Sequence, residues 1–392
     1  ERQAGNHFKP HTYADIKTIA DHFHYTGNQW NNADRRQSDS LGGGHAHAGA
    51  MIYLGGSWPE KYRESILMSN IHGNRINTDY LRRDGSGFVG SHGDDFLLTG
   101  DQWSQMLYLR YGPDGQVWIL DWYDANQCHR REEEAHDRSN GRIYRIAYRN
   151  APNVKVDLES ATDLQLAEHQ SSKNDWYVRM ARRTMLQDAA SGKLSPEAVA
   201  HLRQLATTAK EDRVRLRGLW ALHTTGNLPM ELIRTGLQDA SESVRAWSIQ
   251  LALETPQHVA DASLLQQFAE MANKDESPRV RLYLASGLQR LPLEKRWDIL
   301  TGLGSHADDA ADHNLPLLIW YAAEPLATVD AKRALAWALS AGNQIPLLSE
   351  FMIRRIGSSQ QSLAILVDAL GSATQAESQL TFLRGINQAL KG

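Results

Sequence analysis

Two histidines stand close together in a run of very small residues, "GGGHAHAG" at positions 42–49. In an extended strand, residues i and i+2 point to the same face, so His45 and His47 would lie side by side. Two such imidazoles can share a metal ion, grip a polar ligand or accept a proton from a substrate. Glycine and alanine beside them leave room for that ligand. The alternative is a glycine-rich turn in which both histidines are structural.

A second polar group lies in "NIHGNRIN" and comprises His72, Asn74 and Arg75. These residues are candidates for binding a cofactor, because a guanidinium can pair with an anionic cofactor or substrate. Arg75 could equally brace Asp79 or a neighbouring strand. The sequence leaves both uses open.

A third group occupies "DWYDANQCH", where Asp121 ends an apolar run and Asp124, Cys128 and His129 follow. Imidazoles combined with one or two carboxylates suit a transition metal. The candidate metal ligands are therefore His45, His47, Asp121, Asp124 and His129. Trp122 could stack on a sugar or a flat quinone. Against these roles stand two structural ones, a turn-bracing aspartate at the end of a strand and a tryptophan packed between sheets.

Composition excludes several classes of protein. The 392 residues are 41% hydrophobic and 22% charged, with a net charge of −4, which gives no signature of nucleic-acid binding. No apolar run is long enough for a transmembrane helix, and the first residues are not those of a signal peptide. A single cysteine, Cys128, rules out an internal disulfide, and the lack of a Cys-x-x-Cys-His motif rules out covalent haem in this chain.

The positions that could do chemistry belong to a part of the chain that is expected to form strands. Residues 1–150 contain 17 of the 29 glycines and 10 of the 16 histidines. Their apolar runs are short and separated by turn signals, and Gly112-Pro113-Asp114-Gly115 is typical of a hairpin turn. We expect residues 1–155 to form antiparallel sheets.

Helical periodicity replaces this pattern in residues 156–392, which we expect to form a second domain. Four segments align on a Val-Arg pair, with valines at positions 178, 214, 244 and 280. Each pair follows polar or acidic residues and opens an apolar run at helical spacing. Units of this kind bury their apolar faces by stacking, which predicts an α-solenoid. An irregular helical domain is the alternative. The pattern resembles HEAT repeats, in which the arginine after the valine ties neighbouring units together through an acidic partner. Arg179, Arg215, Arg245 and Arg281 should then share one ridge, and some should reach an Asp or Glu of an adjacent unit. Each exposed pair should contribute little, about 0–1 kcal/mol.

Several stretches together resemble one family, the planctomycete-type membrane-bound dehydrogenases. They are "GGGHAHAGAMIYLGGSWPEKYR", "NIHGNRIN", "GSHGDDFLLTGDQW", "YGPDGQVWILDWYDANQCH", "NGRIYRIAY" and "DDAADHNLPLLIWYAAEPLA". The resemblance implies a glucose/sorbosone dehydrogenase-like β-propeller followed by HEAT repeats, here without the early propeller blades and without the c-type haem domain. It also implies an extracytoplasmic or periplasmic location.

The resemblance further implies an oxidoreductase that acts on a sugar or other alcohol. Its cofactor would be PQQ with calcium, or a transition metal, with His45 or His47 as the proton acceptor. Residues 1–150 suffice for only about two or three blades, too few to close a ring. We therefore expect a fragment, an open sheet or a propeller completed by another chain. The second class of function is a non-enzymatic scaffold that binds a protein partner on the solenoid.

Overall fold

A computed structural model describes residues 47–71, 73–125, 136–192, 194–255 and 261–391. These residues form two compact units. The first contains the described residues up to Arg83 together with Phe88–His201, and the second contains Asp84–Gly87 and the described residues from Leu202 onward. No helix among the described residues has both the length and the apolar character needed to cross a membrane.

The first unit contains two antiparallel sheets, as the sequence predicts for this part of the chain. The larger sheet has the order β1-β2-β3-β4, with β5 paired to β3, and the smaller has the order β6-β7-β8. Neither sheet is a closed barrel. The strands are β1 His47–Ile52, β2 Ile66–Asn70, β3 Arg75–Asp84, β4 Gly87–His92, β5 Leu97–Leu98, β6 Met106–Tyr111, β7 Val117–Asp121 and β8 Arg142–Ile146.

Alternating apolar residues give the two sheets a common core. In β7, Val117, Ile119 and Asp121 are buried while Trp118 and Leu120 are exposed, which is the period of two that a half-buried strand requires. The other core side chains come from both sheets and include Tyr53, Leu67, Ile76, Met106 and Leu109. The core therefore fixes which face of each strand is left for polar residues.

The predicted hairpin turn at Gly112–Gly115 joins β6 to β7 and anchors two other segments. Gly115 has a φ of +69°, a conformation that glycine adopts without strain. Its carbonyl accepts a hydrogen bond of 2.7 Å from the hydroxyl of Tyr53. The side-chain amide of Asn174 donates to the carbonyls of Gly112 and Pro113, each at 3.0 Å. The turn thus ties the strands to the first helices.

Two helices complete the first unit, α1 Asp163–Glu168 and α2 Asp175–Ala190. Asn174 caps α2 by accepting the N–H of Trp176, and the N–H of Asp175 donates to the carbonyl of Leu54. The hydroxyl of Tyr111 in β6 donates to the Asp175 carboxylate at 3.3 Å. Secondary structure thus changes from strand to helix between Ile146 and Asp163, while the compact unit continues to His201.

Helices form the rest of the chain, also as the sequence predicts. Their bounds are α3 Pro196–Thr208, α4 Asp212–Thr224, α5 Met230–Gly236, α6 Glu242–Leu253, α7 Ala262–Lys274, α8 Pro278–Gly287, α9 Trp297–Leu303, α10 Leu315–Ala323, α11 Leu326–Val329, α12 Ala331–Gly342, α13 Pro346–Gly357, α14 Leu363–Ser372 and α15 Ala376–Leu390. The helices α4, α6, α8, α10, α13 and α15 contact one another in that order. One hydrophobic core runs from Ile233 to Phe382.

Three of the four aligned arginines form a ladder of ion pairs in the second unit. Arg215 binds both carboxylate oxygens of Asp239 at 2.8 Å, and Arg245 binds those of Asp275 at 2.7 and 2.9 Å. Arg281 binds both oxygens of Asp309 at 2.7 and 2.5 Å. The predicted pairing with acidic residues of neighbouring helical segments is confirmed for these three.

Each ladder arginine also donates to a main-chain carbonyl six residues before it. Arg245 donates to the carbonyl of Asp239 at 2.9 Å, and Arg281 donates to that of Asp275 at 2.7 Å. An aspartate that receives one arginine on its carboxylate therefore receives the next on its carbonyl. The ladder is continuous from Arg215 to Asp309.

Two features of the aligned arginines go beyond the prediction. Arg179 pairs within its own helix, with Asp175 at 2.6 Å, and its side chain is 60% exposed. The pair formed by Arg281 and Asp309 is buried rather than exposed, with side chains only 6% and 3% accessible.

The ladder shifts the ionisation of Asp239. Burial alone would raise the pKa of Asp239, but hydrogen bonds from Arg215 and from the Ser241 N–H outweigh it and hold the pKa below its ordinary value. Because the pKa is lower in the folded than in the unfolded chain, this carboxylate stabilises the fold at neutral pH. That contribution is lost as the pH falls below about 4.

Two glycines give a test of how closely the helices of the second unit pack. A Cβ on Gly302 in α9 would lie 2.8 Å from the backbone nitrogen of Asn273 in α7, whereas a Cβ on Gly371 in α14 would have no heavy atom within 4 Å. We expect Gly302→Ala to lower the free energy of unfolding by about 1–3 kcal/mol, since the two backbones must separate. Gly371→Ala should raise it by about 0.5–1 kcal/mol through helix propensity. Urea unfolding followed by circular dichroism measures both, and equal effects of the two changes would contradict this packing.

Candidate functional site

The polar residues of the larger sheet lie in one row across three strands. In the strand register His47 of β1 is opposite Asn70 of β2, and Asn70 is opposite Arg75 of β3. Asn77 and Asp79 follow Arg75 at alternate positions, so their side chains share its face of β3. All of β3 from Arg75 to Asp79 is buried, and a buried row of polar side chains requires hydrogen-bond partners.

Asn77 is at the centre of this row and is fully buried. Its Oδ1 lies 3.0 Å from Nε2 of His47 and accepts a hydrogen bond of 2.9 Å from the amide nitrogen of Asn70. Its Nδ2 donates to Oδ1 of Asp95 at 2.8 Å. One amide thus connects a histidine in β1 to a carboxylate that follows β4. We call His47, Asn70, Arg75, Asn77, Asp79, His92 and Asp95 the β-sheet polar network.

Arg75 and His92 complete the network around two carboxylates. Arg75 donates from Nη1 to Oδ2 of Asp95 at 2.9 Å and from Nε to the carbonyl of Gly73 at 3.0 Å. The imidazole of His92 lies between the two aspartates, with Nδ1 3.4 Å from Asp79 and Nε2 3.8 Å from Asp95. The network therefore gathers histidine, guanidinium and carboxylate groups in one place.

A second polar group surrounds Asp121 at the end of β7. Its Oδ2 accepts the hydroxyl of Ser104 at 2.9 Å, and its Oδ1 accepts the backbone N–H groups of Gln105 at 2.6 Å and Tyr123 at 3.1 Å. The carboxylate is buried and fastens the segment before β6 to the end of β7. This arrangement matches the turn-bracing role that the sequence left open for this residue.

Asp124 holds the segment that follows β7 in a similar way. Its Oδ2 accepts the backbone N–H of Asp137 at 2.8 Å and the indole N–H of Trp122 at 3.3 Å, and it lies 3.4 Å from Nδ1 of His136. The Trp122 ring remains partly exposed, so one of its faces is available to a flat ligand.

Asn74 connects the two polar groups. It has a φ of +49°, and its amide nitrogen donates to the carbonyl of Ser104 at 2.7 Å. Ser104 in turn donates its hydroxyl to Asp121, while Arg75, the residue after Asn74, belongs to the β-sheet polar network. Asn74 therefore links the group around Asp121 to the β-sheet polar network.

The structure brings together some of the predicted site residues. His47 and Arg75 are both in the β-sheet polar network, and Asp121, Asp124 and Trp122 lie in the second group. His45, His72 and His129 lie outside the described residues, so the roles that the sequence predicts for these three histidines stay predictions. No cluster of three or more His, Cys, Asp or Glu residues suited to a metal ion occurs in the parts of the chain that the structure describes.

Sequence reasoning did not include Asn70 and Asn77 among the site residues. A signal was present, because Arg75, Asn77 and Asp79 place polar residues at alternate positions in a strand that also contains Ile76. An alternating polar row is ordinarily the solvated face of a strand. Only the register with β1 and β2 shows that this row is buried.

The turn between β6 and β7 contains a carboxylate whose ionisation is shifted. Burial raises the pKa of Asp114, but hydrogen bonds from Arg145, the Gln116 N–H and Trp118 outweigh it and bring the pKa below its ordinary value. Arg145 reaches Oδ2 of this carboxylate at 2.6 Å. Asp114 and Arg145 thus form a structural ion pair at the edge of the smaller sheet.

Comparison with models of protein families gives a match. The family model described as "Domain of unknown function (DUF7133)" matches residues 2–150, the part that contains the strands and both polar groups. No protein of curated function matches the chain. The match carries no activity, so the function has to be argued from the chemistry of the site.

Proposed function

We propose that the strand-rich unit is an oxidoreductase module of the glucose/sorbosone dehydrogenase-like type, acting on a sugar or other alcohol outside the cytoplasm. The observation that carries the proposal is the β-sheet polar network, in which two histidines flank a buried chain of amide, guanidinium and carboxylate groups. Sugars present hydroxyls that both donate and accept hydrogen bonds, and this set of side chains offers partners of both kinds.

The architecture in this proposal follows from the resemblance. The two antiparallel sheets are part of an incomplete propeller, and the paired helices are HEAT-like repeats. The arginine–aspartate ladder supports the second point, because equivalent residues make equivalent contacts at Arg215, Arg245 and Arg281. The twofold alternation of buried and exposed residues in β7 supports the first.

The chain's own residues would prepare a hydroxyl for oxidation. His47 would accept the hydroxyl proton, a role that positioned histidines fill in many enzymes and that contributes roughly 10²–10⁴-fold to rate. Arg75 and Asp95 would hold the surrounding hydrogen bonds in place. Substrate oxygen atoms would then meet a site that is already ordered, which lowers the entropic cost of reaching the transition state.

A cofactor belongs to this proposal, either PQQ with calcium or a transition metal, and it would supply the oxidising chemistry. The described residues alone do not fit its cation. Asp95 already accepts hydrogen bonds from Arg75 and Asn77, and Asp121 accepts hydrogen bonds on both oxygens. We therefore assign no step to the cofactor. Because Arg75 is hydrogen-bonded to Asp95, it holds that carboxylate in place and is not an open anion site.

The test is a dehydrogenase assay of the whole chain with a panel of sugars and alcohols and an artificial electron acceptor. PQQ with Ca²⁺, or single transition metals, are added to parallel samples, and bound metal is measured by elemental analysis. We expect turnover that depends on one of these additions, and a fall of about 10²–10⁴-fold in kcat/KM in His47→Ala. His223→Ala, in the helical unit, is the matched control and should retain the parental rate. A parent chain that binds no cofactor and oxidises none of the panel would contradict the proposal.

A second candidate, a binding module, is favoured by the exposed face of the smaller sheet. Tyr108, Leu120 and Ile143 lie opposite one another on β6, β7 and β8, and all three are exposed, Ile143 by 71%. Apolar residues grouped in this way mark interaction sites in soluble proteins. Under this proposal the face receives a chain that completes the propeller, and the helical unit binds a protein partner. The two candidates differ in whether the purified chain turns over an alcohol.

A further inference from the structure

The helical unit has a cavity of about 370 Å³ between three of its helices. Trp320 of α10, Phe351 of α13 and Gln388 of α15 contribute to its lining. The two aromatic rings meet edge to face, with their centroids 5.5 Å apart. Pockets that bind small molecules begin at about 300 Å³ and are lined mainly by apolar and aromatic side chains. The cavity is therefore large enough for a ligand built on one ring.

Positive charge exceeds negative charge in this lining. Arg354 and Arg355 of α13 provide two guanidinium groups, whereas Glu324, which follows α10, provides one carboxylate. The guanidinium of Arg354 forms no ion pair with a described residue. The indole N–H of Trp320, a side chain only 8% exposed, has no hydrogen-bond acceptor among those residues either. The lining thus offers donors that lack an acceptor, which favours an anionic ligand.

The guanidinium of Arg355 is held at the cavity by two contacts that leave it incompletely paired. Its Nε lies 3.2 Å from Oε1 of Glu324, yet this buried nitrogen makes no hydrogen bond, so the N–H and the carboxylate are poorly aligned. Its Nη1 donates a long hydrogen bond of 3.4 Å to the hydroxyl of Ser358. A guanidinium has five N–H groups, so Arg355 has donors left for a second carboxylate.

The chemistry of these groups favours one class of ligand. The guanidinium fork matches the two oxygens of a carboxylate, which can accept two parallel hydrogen bonds. A ring can pack edge to face or offset against the aromatic side chains. The two arginines and Glu324 together balance one negative charge, whereas a phosphate brings up to two and would be repelled by Glu324.

We infer that the cavity binds a small aromatic carboxylate, with its ring against Trp320 and Phe351 and its carboxylate on the guanidinium of Arg355. The aromatic side chains remove the ring from water, and Arg354 adds a second positive charge beside the carboxylate. Glu324, whose side chain is 43% exposed, then releases Arg355 and turns into the solvent. The site is independent of the proposed oxidoreductase function, because all of its residues belong to the helical unit.

Phenylacetate is the probe, and its dissociation constant from the whole chain is measured by ligand-observed NMR titration. Phenylacetamide keeps the ring but lacks the charge, and acetate keeps the charge but lacks the ring. We expect phenylacetate to bind at least about tenfold more tightly than either, because it alone combines charge-assisted hydrogen bonds with burial of a ring. Equal binding of phenylacetate and phenylacetamide, or no saturable binding of phenylacetate, would overturn the inference.

Two variants in the cavity and one control assign the binding to its charged groups. Arg355→Met loses the guanidinium but keeps an apolar stem, and it should bind phenylacetate about tenfold more weakly. Glu324→Gln removes the competing carboxylate and should bind it about two- to fivefold more tightly. Arg203→Met removes an exposed arginine of α3 and should leave the dissociation constant unchanged. Parental binding in Arg355→Met, or weaker binding in Glu324→Gln, would contradict the assigned contacts. If Arg355→Met does not fold, Glu324→Gln decides.

The indole N–H of Trp320 reports binding at the cavity itself. In ¹H–¹⁵N spectra of the whole chain, assigned with Trp320→Phe and Trp337→Phe, the Trp320 signal should shift as phenylacetate is added. Trp337 of α12 is equally buried but does not line the cavity, so its signal should stay in place. Saturable binding without any shift of the Trp320 signal would show that phenylacetate binds elsewhere and would overturn the inference.

Discussion

Asp309→Ala should lower the free energy of unfolding of the helical unit by about 3–5 kcal/mol. The change leaves the guanidinium of Arg281 buried, 5% exposed, and without the carboxylate that binds it at 2.5 and 2.7 Å. An unpaired buried charge is among the most destabilising defects that a single substitution can create. Urea unfolding monitored by circular dichroism measures the effect. An m-value equal to that of the parent chain checks that unfolding is still two-state.

The control for this prediction is an exposed ion pair in the same unit. Arg213 and Glu211 approach to 2.7 Å at the start of α4, but both side chains are well exposed, so Glu211→Ala should cost only about 0–1 kcal/mol. A double replacement, Arg281→Met with Asp309→Leu, removes both charges and should restore most of the lost stability. If Asp309→Ala is as stable as Glu211→Ala, the buried pair of Arg281 and Asp309 does not contribute the predicted free energy of unfolding.

Tyr53→Phe should destabilise the strand-rich unit by about 2–4 kcal/mol. The hydroxyl is buried and serves three backbone groups, donating to the Gly115 carbonyl at 2.7 Å and accepting the N–H groups of Ser57 at 3.1 Å and Trp58 at 3.0 Å. Removing one oxygen leaves all three without this partner, and each buried unsatisfied group costs about 1–3 kcal/mol before relaxation. Urea unfolding followed by intrinsic fluorescence measures this loss of stability.

Tyr108→Phe is the matched control, because Tyr108 lies on the exposed face of β6 and its hydroxyl contacts only the exposed guanidinium of Arg110 among the hydrogen bonds described. Its effect should stay within about 0.5 kcal/mol. If Tyr53→Phe loses no more stability than Tyr108→Phe, the buried hydroxyl does not hold the Gly115 turn in place, and the ring contacts that both variants keep are sufficient.

Local patterns in the sequence were enough to predict the two types of secondary structure. The alternation in "QVWILD" gives β7, the run Gly112–Gly115 gives the hairpin turn, and the Val-Arg segments give α4, α6 and α8. Each of these signals is contained within about a dozen neighbouring residues. The existence of acidic partners for the arginines could also be predicted, because equivalent positions in successive helices make equivalent contacts.

The candidate site could be predicted only in part, because its contacts join distant residues. His47 and Asn77 are 30 residues apart, and Asn77 and Asp95 are 18 apart. Which residues meet depends on strand register, and a shift of one residue would turn Asn77 to the other face. The burial of Arg281 is of the same kind, since it is set by helices that the local sequence does not describe. His45, His72 and His129 remain predictions.

The arginine–aspartate ladder has one spacing that stays constant along the helical part. The separation from each arginine to its aspartate varies, at 24, 30 and 28 residues, whereas each arginine reaches a carbonyl always six residues before it. The invariant element is therefore a short clasp that runs from Asp239 to Arg245 and from Asp275 to Arg281, while the length of chain between clasps is free to change. A loop can therefore grow between two clasps without changing either of them, whereas one residue added inside a clasp would break the contact between its arginine and its carbonyl.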